Sequence, residues 1–117
     1  MKRVRHLAVG VAAAALLGAQ ALPALGHPAA ASVSVTASDF SFKLSKRAVP
    51  KGSVTFAITN QGQLPHDFKI AGKKTAQIQP GGTAKLTVKF AKAGRYAFSC
   101  TVAGHATSGM KGTLTVR

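Results

Sequence analysis

Tyr96-Ala97-Phe98-Ser99-Cys100-Thr101-Val102-Ala103-Gly104-His105-Ala106-Thr107-Ser108-Gly109-Met110, continued by Lys111-Gly112-Thr113-Leu114-Thr115-Val116, is the stretch on which the reading of this chain turns. Its two ends alternate as strands do, so Tyr96, Phe98 and Cys100 share one face, and Met110 shares one with Gly112, Leu114 and Val116. Between those ends lie the only cysteine of the sequence, one histidine, and the only methionine besides the initiator. A thiolate, an imidazole and a thioether gathered in one loop suit copper better than calcium, magnesium or manganese, which take oxygen ligands. A second imidazole would complete that set. His66, in Leu64-Pro65-His66-Asp67-Phe68-Lys69-Ile70, falls on the inward parity of Phe68 and Ile70 and can supply it. His66, Cys100 and Met110 therefore point to the core from strand ends, and His105 is delivered by the loop.

Outward from this stretch the chain reads as β throughout. Ser32 to Ala37 alternates with Val33 and Val35 inward, and Asp39 to Leu44 with Phe40, Phe42 and Leu44 inward. Arg47 to Ser53 is a connection with a Pro50-Lys51-Gly52 turn signal. Val54 to Asn60 buries Val54, Phe56 and Ile58, and Gln61 to Leu64 is a loop leading into the His66 strand. Thr75 to Ile78 reads as a short strand and Gln79-Pro80-Gly81-Gly82 as a turn. Ala84 to Phe90 places Leu86, Val88 and Phe90 inside, and Gly112 to Val116 closes the sheet. Short alternating strands spaced by glycine and proline turns predict an all-β, two-sheet Greek-key sandwich. Phe40, Phe42, Phe56, Phe68, Phe90, Tyr96 and Phe98 are the bulk of its core and are assigned to packing, with no ligand-stacking role.

The first 31 residues have a different composition. Met1-Lys2-Arg3-Val4-Arg5 is a positive start, Leu7 to Ala19 is apolar, and small residues follow, which is the layout of a cleaved secretory signal peptide. Gln20 and Pro23 interrupt the run before it reaches the roughly 20 apolar residues of a membrane span. Ala24-Leu25-Gly26 and Ala29-Ala30-Ala31 both fit the small-x-small rule, so cleavage falls after 26 or 31 and leaves 32–117 as the domain. A cut after Gly26 would expose His27 as an amino-terminal histidine able to chelate copper, although Pro28 follows at once and no partner histidine remains. The expectation is an exported, periplasmic or extracytoplasmic protein. One cysteine in such a chain forms no internal disulfide, and its neighbours favour a ligand role.

Charge is the other strong signal. The whole chain carries +14, with 16 Lys and Arg against 2 acids. Export takes away Lys2, Arg3 and Arg5, and the acids that remain are Asp39 and Asp67. A balance this basic fits nucleic acid, an anionic membrane surface or an acidic protein partner. Export argues against nucleic acid. Lys43, Lys69, Lys85 and Lys89 fall on the outward parity of their strands, as a solvated sheet face requires.

Taken together, the Cys-x4-His-x4-Met spacing after a Tyr-x-Phe strand, the Gly-His and Gly-Met pairs and the upstream Pro-His-Asp-Phe resemble the small blue-copper (type 1) proteins of the cupredoxin family, the group of plastocyanin, azurin and auracyanin. The resemblance runs roughly from Ser32 to Arg117 and includes Val49-Pro50-Lys51-Gly52-Ser53-Val54-Thr55-Phe56 and Asn60-Gln61-Gly62. It implies one type 1 copper ion held by His66, Cys100, His105 and Met110. It also implies a monomeric one-electron carrier whose redox partner docks on the apolar rim of Leu64, Pro65, Val102, Ala103 and Ala106. The basic surface makes that partner acidic, a cytochrome or an oxidase, with weak attraction to anionic membrane surfaces as a side effect. Two positions depart from the family pattern: Asp67 stands where relatives carry Asn, and Ser99 where they often carry an aromatic. An ionised carboxylate cannot donate the hydrogen bond that an amide would. The competing function is a periplasmic copper carrier or copper-resistance protein using the same site, whereas an enzyme would need an open coordination position or further metals.

Overall fold

The computed structural model describes residues 30–117, so nearly all of the predicted export segment, His27 included, lies outside the described residues. Nine strands follow in order: β1 (Ala31–Ser38), β2 (Ser41–Leu44), β3 (Ala48–Val49), β4 (Gly52–Asn60), β5 (Lys69–Ile70), β6 (Lys73–Lys74), β7 (Thr83–Phe90), β8 (Gly94–Ser99) and β9 (Lys111–Val116). They form a four-stranded sheet in the order β2-β1-β4-β7 and a five-stranded sheet in the order β3-β9-β8-β5-β6. Each sheet contains one parallel pair, β1 with β4 and β3 with β9, among otherwise antiparallel neighbours. Parallel neighbours cannot be joined by a hairpin, so the chain crosses between the sheets, as a Greek-key sandwich demands. Among the described residues no helix is long and apolar enough to cross a membrane.

The alternation read from the sequence is what the sandwich buries. Val33, Val35, Val54, Phe56, Ile58, Val88 and Phe90 line the inner side of the four-stranded sheet, and Ile70, Phe98, Leu114 and Val116 that of the five-stranded one. Phe42, Phe56 and Phe98 surround Phe68, with ring centroids 5.3, 5.2 and 5.6 Å from it. Pairs at this spacing contribute about 0.5–1.5 kcal/mol each beyond the area they bury. The outward lysines Lys43, Lys69, Lys85 and Lys89 are all exposed.

Four local readings are corrected. Phe40 is not in the core: it sits in the turn between β1 and β2 and is 37% exposed. The connection 47–53 contains β3, too short for alternation to reveal, which pairs along β9. Thr75–Ile78 is not a strand; the hairpin partner of β5 is β6, one turn earlier. His66 is likewise not within a strand but forms an isolated bridge with Ile78, through hydrogen bonds of 3.1 Å and 2.7 Å between their backbones.

Candidate metal centre

Cys100 follows directly on β8 and Met110 directly precedes β9, and because these strands are paired, the two residues meet: the Cys100 N–H donates to the Met110 carbonyl at 3.0 Å. The nine-residue segment between them turns on itself. Val102 O accepts from His105 N–H at 3.0 Å, His105 O from Met110 N–H at 3.1 Å, and Gly104 O from the Thr107 and Ser108 hydroxyls at 2.9 and 2.8 Å. Gly104 and Gly109 take φ of +82° and +113°, a backbone region in which side-chain-bearing residues are strained. Most of the hydrogen bonds that shape the loop are its own.

His66 is held by different means. Asn60, fully buried at the end of β4, donates through its amide to Leu64 O (2.9 Å) and Ile78 O (2.8 Å) and accepts from Gly62 N–H (2.9 Å). It stitches the 61–65 loop to the residue that bridges His66. On the other flank Asp67 accepts from Thr101 N–H at 2.6 Å and from the Thr101 hydroxyl. The carboxylate that cannot donate therefore still ties the His66 segment to the residue after Cys100, because Thr101 supplies both donors.

These supports bring three donor atoms together. His66 Nδ1 lies 3.0 Å from His105 Nδ1 and 3.9 Å from Cys100 Sγ, which is 3.7 Å from His105 Nδ1. All three residues are buried, His66 and Cys100 almost completely and His105 to within 8%. Separations of this order are what ligand atoms show when each lies about 2.0–2.3 Å from a shared first-row metal ion. Met110 is fully buried next to them. Desolvation pushes the Cys100 thiol above its ordinary range, while the backbone N–H groups of Asp67 and Val102 favour the thiolate. A cation at this point would override the first effect, since metal coordination deprotonates a thiol.

Two residues at the site were not assigned to it in the sequence, Phe40 having been read as core. Asp39, in the β1–β2 turn, places its Oδ1 2.6 Å from His66 Nε2. The Gln63 N–H donates to its Oδ2 at 2.9 Å, which, ahead of the contact with His66, holds the Asp39 carboxyl below its ordinary value. Phe40, next in the chain, sets its ring against that of His105 at 5.0 Å and 70°, so it contacts a candidate ligand instead of packing the core. Only the scarcity of acids in the sequence could have drawn attention to Asp39.

The comparisons with known proteins agree with this geometry. A family model described as a cupredoxin-like domain matches residues 7–116. The chain belongs to the cupredoxin-like family. Two imidazoles and a thiol in that fold make copper the metal of the site, a single ion of the type 1 class. Of solved structures, dithionite-reduced auracyanin from Roseiflexus castenholzii superposes with a TM-score of 0.65 at 20% identity, over 79% of this chain and 99% of that one. A multicopper oxidase shares the fold with a TM-score of 0.61 at 15% identity, over 79% of this chain but 46% of the oxidase. The copper-resistant cuproprotein CopI of Pseudomonas aeruginosa is 48% identical over 40 residues. That match takes in 34% of this cupredoxin and spans 22% of the length of CopI.

Proposed function

We propose that this cupredoxin is an exported one-electron carrier. The observation that carries the reading is the convergence of His66 Nδ1, Cys100 Sγ and His105 Nδ1 inside a buried, cross-braced pocket. In this reading those atoms and the Met110 thioether hold the copper ion, which supplies the Cu(I)/Cu(II) couple. The braces of Asn60 and Asp67 and the self-bonded 101–110 loop keep the donor atoms in one arrangement for both charge states, so little has to move when an electron passes. Small reorganisation favours fast exchange. Burial excludes water from the thiolate, and His105, delivered by the loop, brings an imidazole to the rim formed by Leu64, Pro65, Val102, Ala103 and Ala106.

The surface favours an acidic redox partner. Register places Lys74 opposite Lys69, Lys69 opposite Ser99, and Ser99 opposite Lys111, a transverse row in which all three lysines are exposed. This row crosses the five-stranded sheet beside Cys100 and Met110, at the end where the electron would leave. Attraction between opposite charges speeds encounter and is screened over about 8 Å at physiological ionic strength. The rate of electron transfer from the reduced, copper-loaded protein to an acidic c-type cytochrome should fall steeply with salt, while its reaction with a small neutral quinone should not. Lys111→Glu should cost more than Lys43→Glu. A salt-independent rate with the cytochrome would assign the charge to solubility or to membrane adhesion.

The resemblance to CopI favours a second reading, in which the same site carries copper for resistance. A competing Cu(I) chelator separates the two. An electron carrier keeps its metal through repeated reduction by ascorbate and oxidation by hexacyanoferrate(III); a copper carrier surrenders it to the chelator within a few cycles.

A further inference from the structure

The two acids of the described chain both touch the metal centre, and they do so differently. Asp67 is 3% exposed and spends both oxygens on Thr101. Asp39 comes from the opposite sheet, 27 residues ahead of His66, and aims an oxygen at the ring nitrogen that faces away from Cys100. A carboxylate has no proton to give, so the 2.6 Å contact is a donation from His66 Nε2–H, which fixes the tautomer. In a neutral ring with its proton on Nε2, Nδ1 is a lone pair, and Nδ1 is the atom facing His105 and Cys100.

The surroundings are shaped around this pair. Gln63 N–H donates to Asp39 Oδ2, and Leu64 N–H lies 3.4 Å from Oδ1, so the loop that leads into His66 also orients the carboxylate. A glycine at 62 leaves space for the pair: a Cβ there would fall onto Asp39 Oδ1 and lie 2.9 Å from His66 Nε2, so it would displace the carboxylate. His105 has no comparable support, since its only ring-nitrogen partners among the described residues are His66 and Cys100 through Nδ1.

We infer that Asp39 is the positioning residue of the buried histidine: its carboxylate holds the Nε2 proton of His66, turns the Nδ1 lone pair toward the metal position, and places a negative charge one imidazole away from it. Such a charge stabilises Cu(II) more than Cu(I), so Asp39 lowers the reduction potential and tightens binding of the oxidised ion. A hydrogen-bonded carboxylate behind a metal-bound histidine raises ligand basicity, and removing such a partner typically costs about 10–100-fold in metal affinity.

The inference rests on the copper reading, and its test separates the two. Long-range ¹H–¹⁵N spectra of metal-free protein report the His66 tautomer without any copper. The wild type should show the proton on Nε2, Asp39→Asn should keep it there because the amide oxygen still accepts, and Asp39→Ala should give a mixture. After copper loading, Asp39→Asn should retain the colour, raise the reduction potential and weaken Cu(II) binding about 10-fold or more. Gly62→Ala, which displaces the carboxylate without removing its charge, should mix the tautomers as Asp39→Ala does. A wild type that loads copper with full colour, but whose tautomer, potential and affinity are unchanged in Asp39→Asn and Asp39→Ala, would reduce Asp39 to a loop brace and overturn the inference. A wild type that takes up no copper would instead remove the reading beneath it.

Discussion

His66 and His105 present the same atom to the same point, yet they are held in opposite ways. His66 is fully buried, bridged to Ile78, flanked by the Asn60 and Asp67 braces and backed by Asp39 from the other sheet. His105 belongs to a loop that is hydrogen-bonded to itself, retains 8% of its surface and has Phe40 at its edge. The difference separates two tasks. One imidazole is part of the framework; the other lies near the surface, where the proposed carrier would pass its electron. Removing the two should therefore have unequal consequences. In copper-loaded protein, His105→Gly should lose most of its colour and regain it when free imidazole enters the gap from solvent. His66→Gly, walled in by Asp39, Gly62 and Ile78, should lose copper binding with little recovery. Equal recovery by titration with imidazole, followed by absorption, would break the distinction.

A smaller effect is expected one layer out. Asn60→Ala removes three hydrogen bonds from the His66 side and leaves Leu64 O, Ile78 O and Gly62 N–H to find other partners. At about 1 kcal/mol for each net bond the loss is about 2–4 kcal/mol, readable as a shift in the midpoint of denaturant unfolding. Thr107→Ala, on the His105 side, removes one exposed hydroxyl donation within the loop and should cost well under half as much.

The smallest change concerns Met110, where the loop runs into β9. Met110→Leu keeps the volume and apolar character of a fully buried position, so folding should be nearly unaffected. If its sulfur is the weak donor of the site, the colour stays and the reduction potential rises, because Cu(II) loses a ligand that Cu(I) needs less. An unchanged potential in cyclic voltammetry would make Met110 a packing residue on the loop side only.

Much of this arrangement was legible before any coordinates. Alternation of period two placed Phe98, Cys100, Leu114 and Val116 on buried faces, since a strand of six or more residues leaves no freedom about which parity faces the core. The same rule failed at Phe40: parity carries no information once the chain leaves a strand, and residues 39 and 40 form the turn. It was also blind to β3 and β6, each two residues long, and it ran the two-residue β5 together with His66 as one strand. His66, Cys100 and His105 could be grouped because so few residues of the chain bind soft metals. Asp39 could not, because its role depends on the opposite sheet lying over the His66 loop, a long-range contact that leaves no local pattern. Asp67 could be seen to differ from the family pattern, but its remedy in Thr101 required knowing that the two loops meet.

The proposed copper centre stands or falls on the Cys100 thiolate meeting Cu(II) beside two imidazoles. The absorption spectrum of the copper-loaded, oxidised domain tests this most directly, with Cys100→Ser measured alongside. An intense visible charge-transfer band that disappears in Cys100→Ser is the predicted result. A colourless Cu(II) protein whose Cys100 is chemically intact would contradict it.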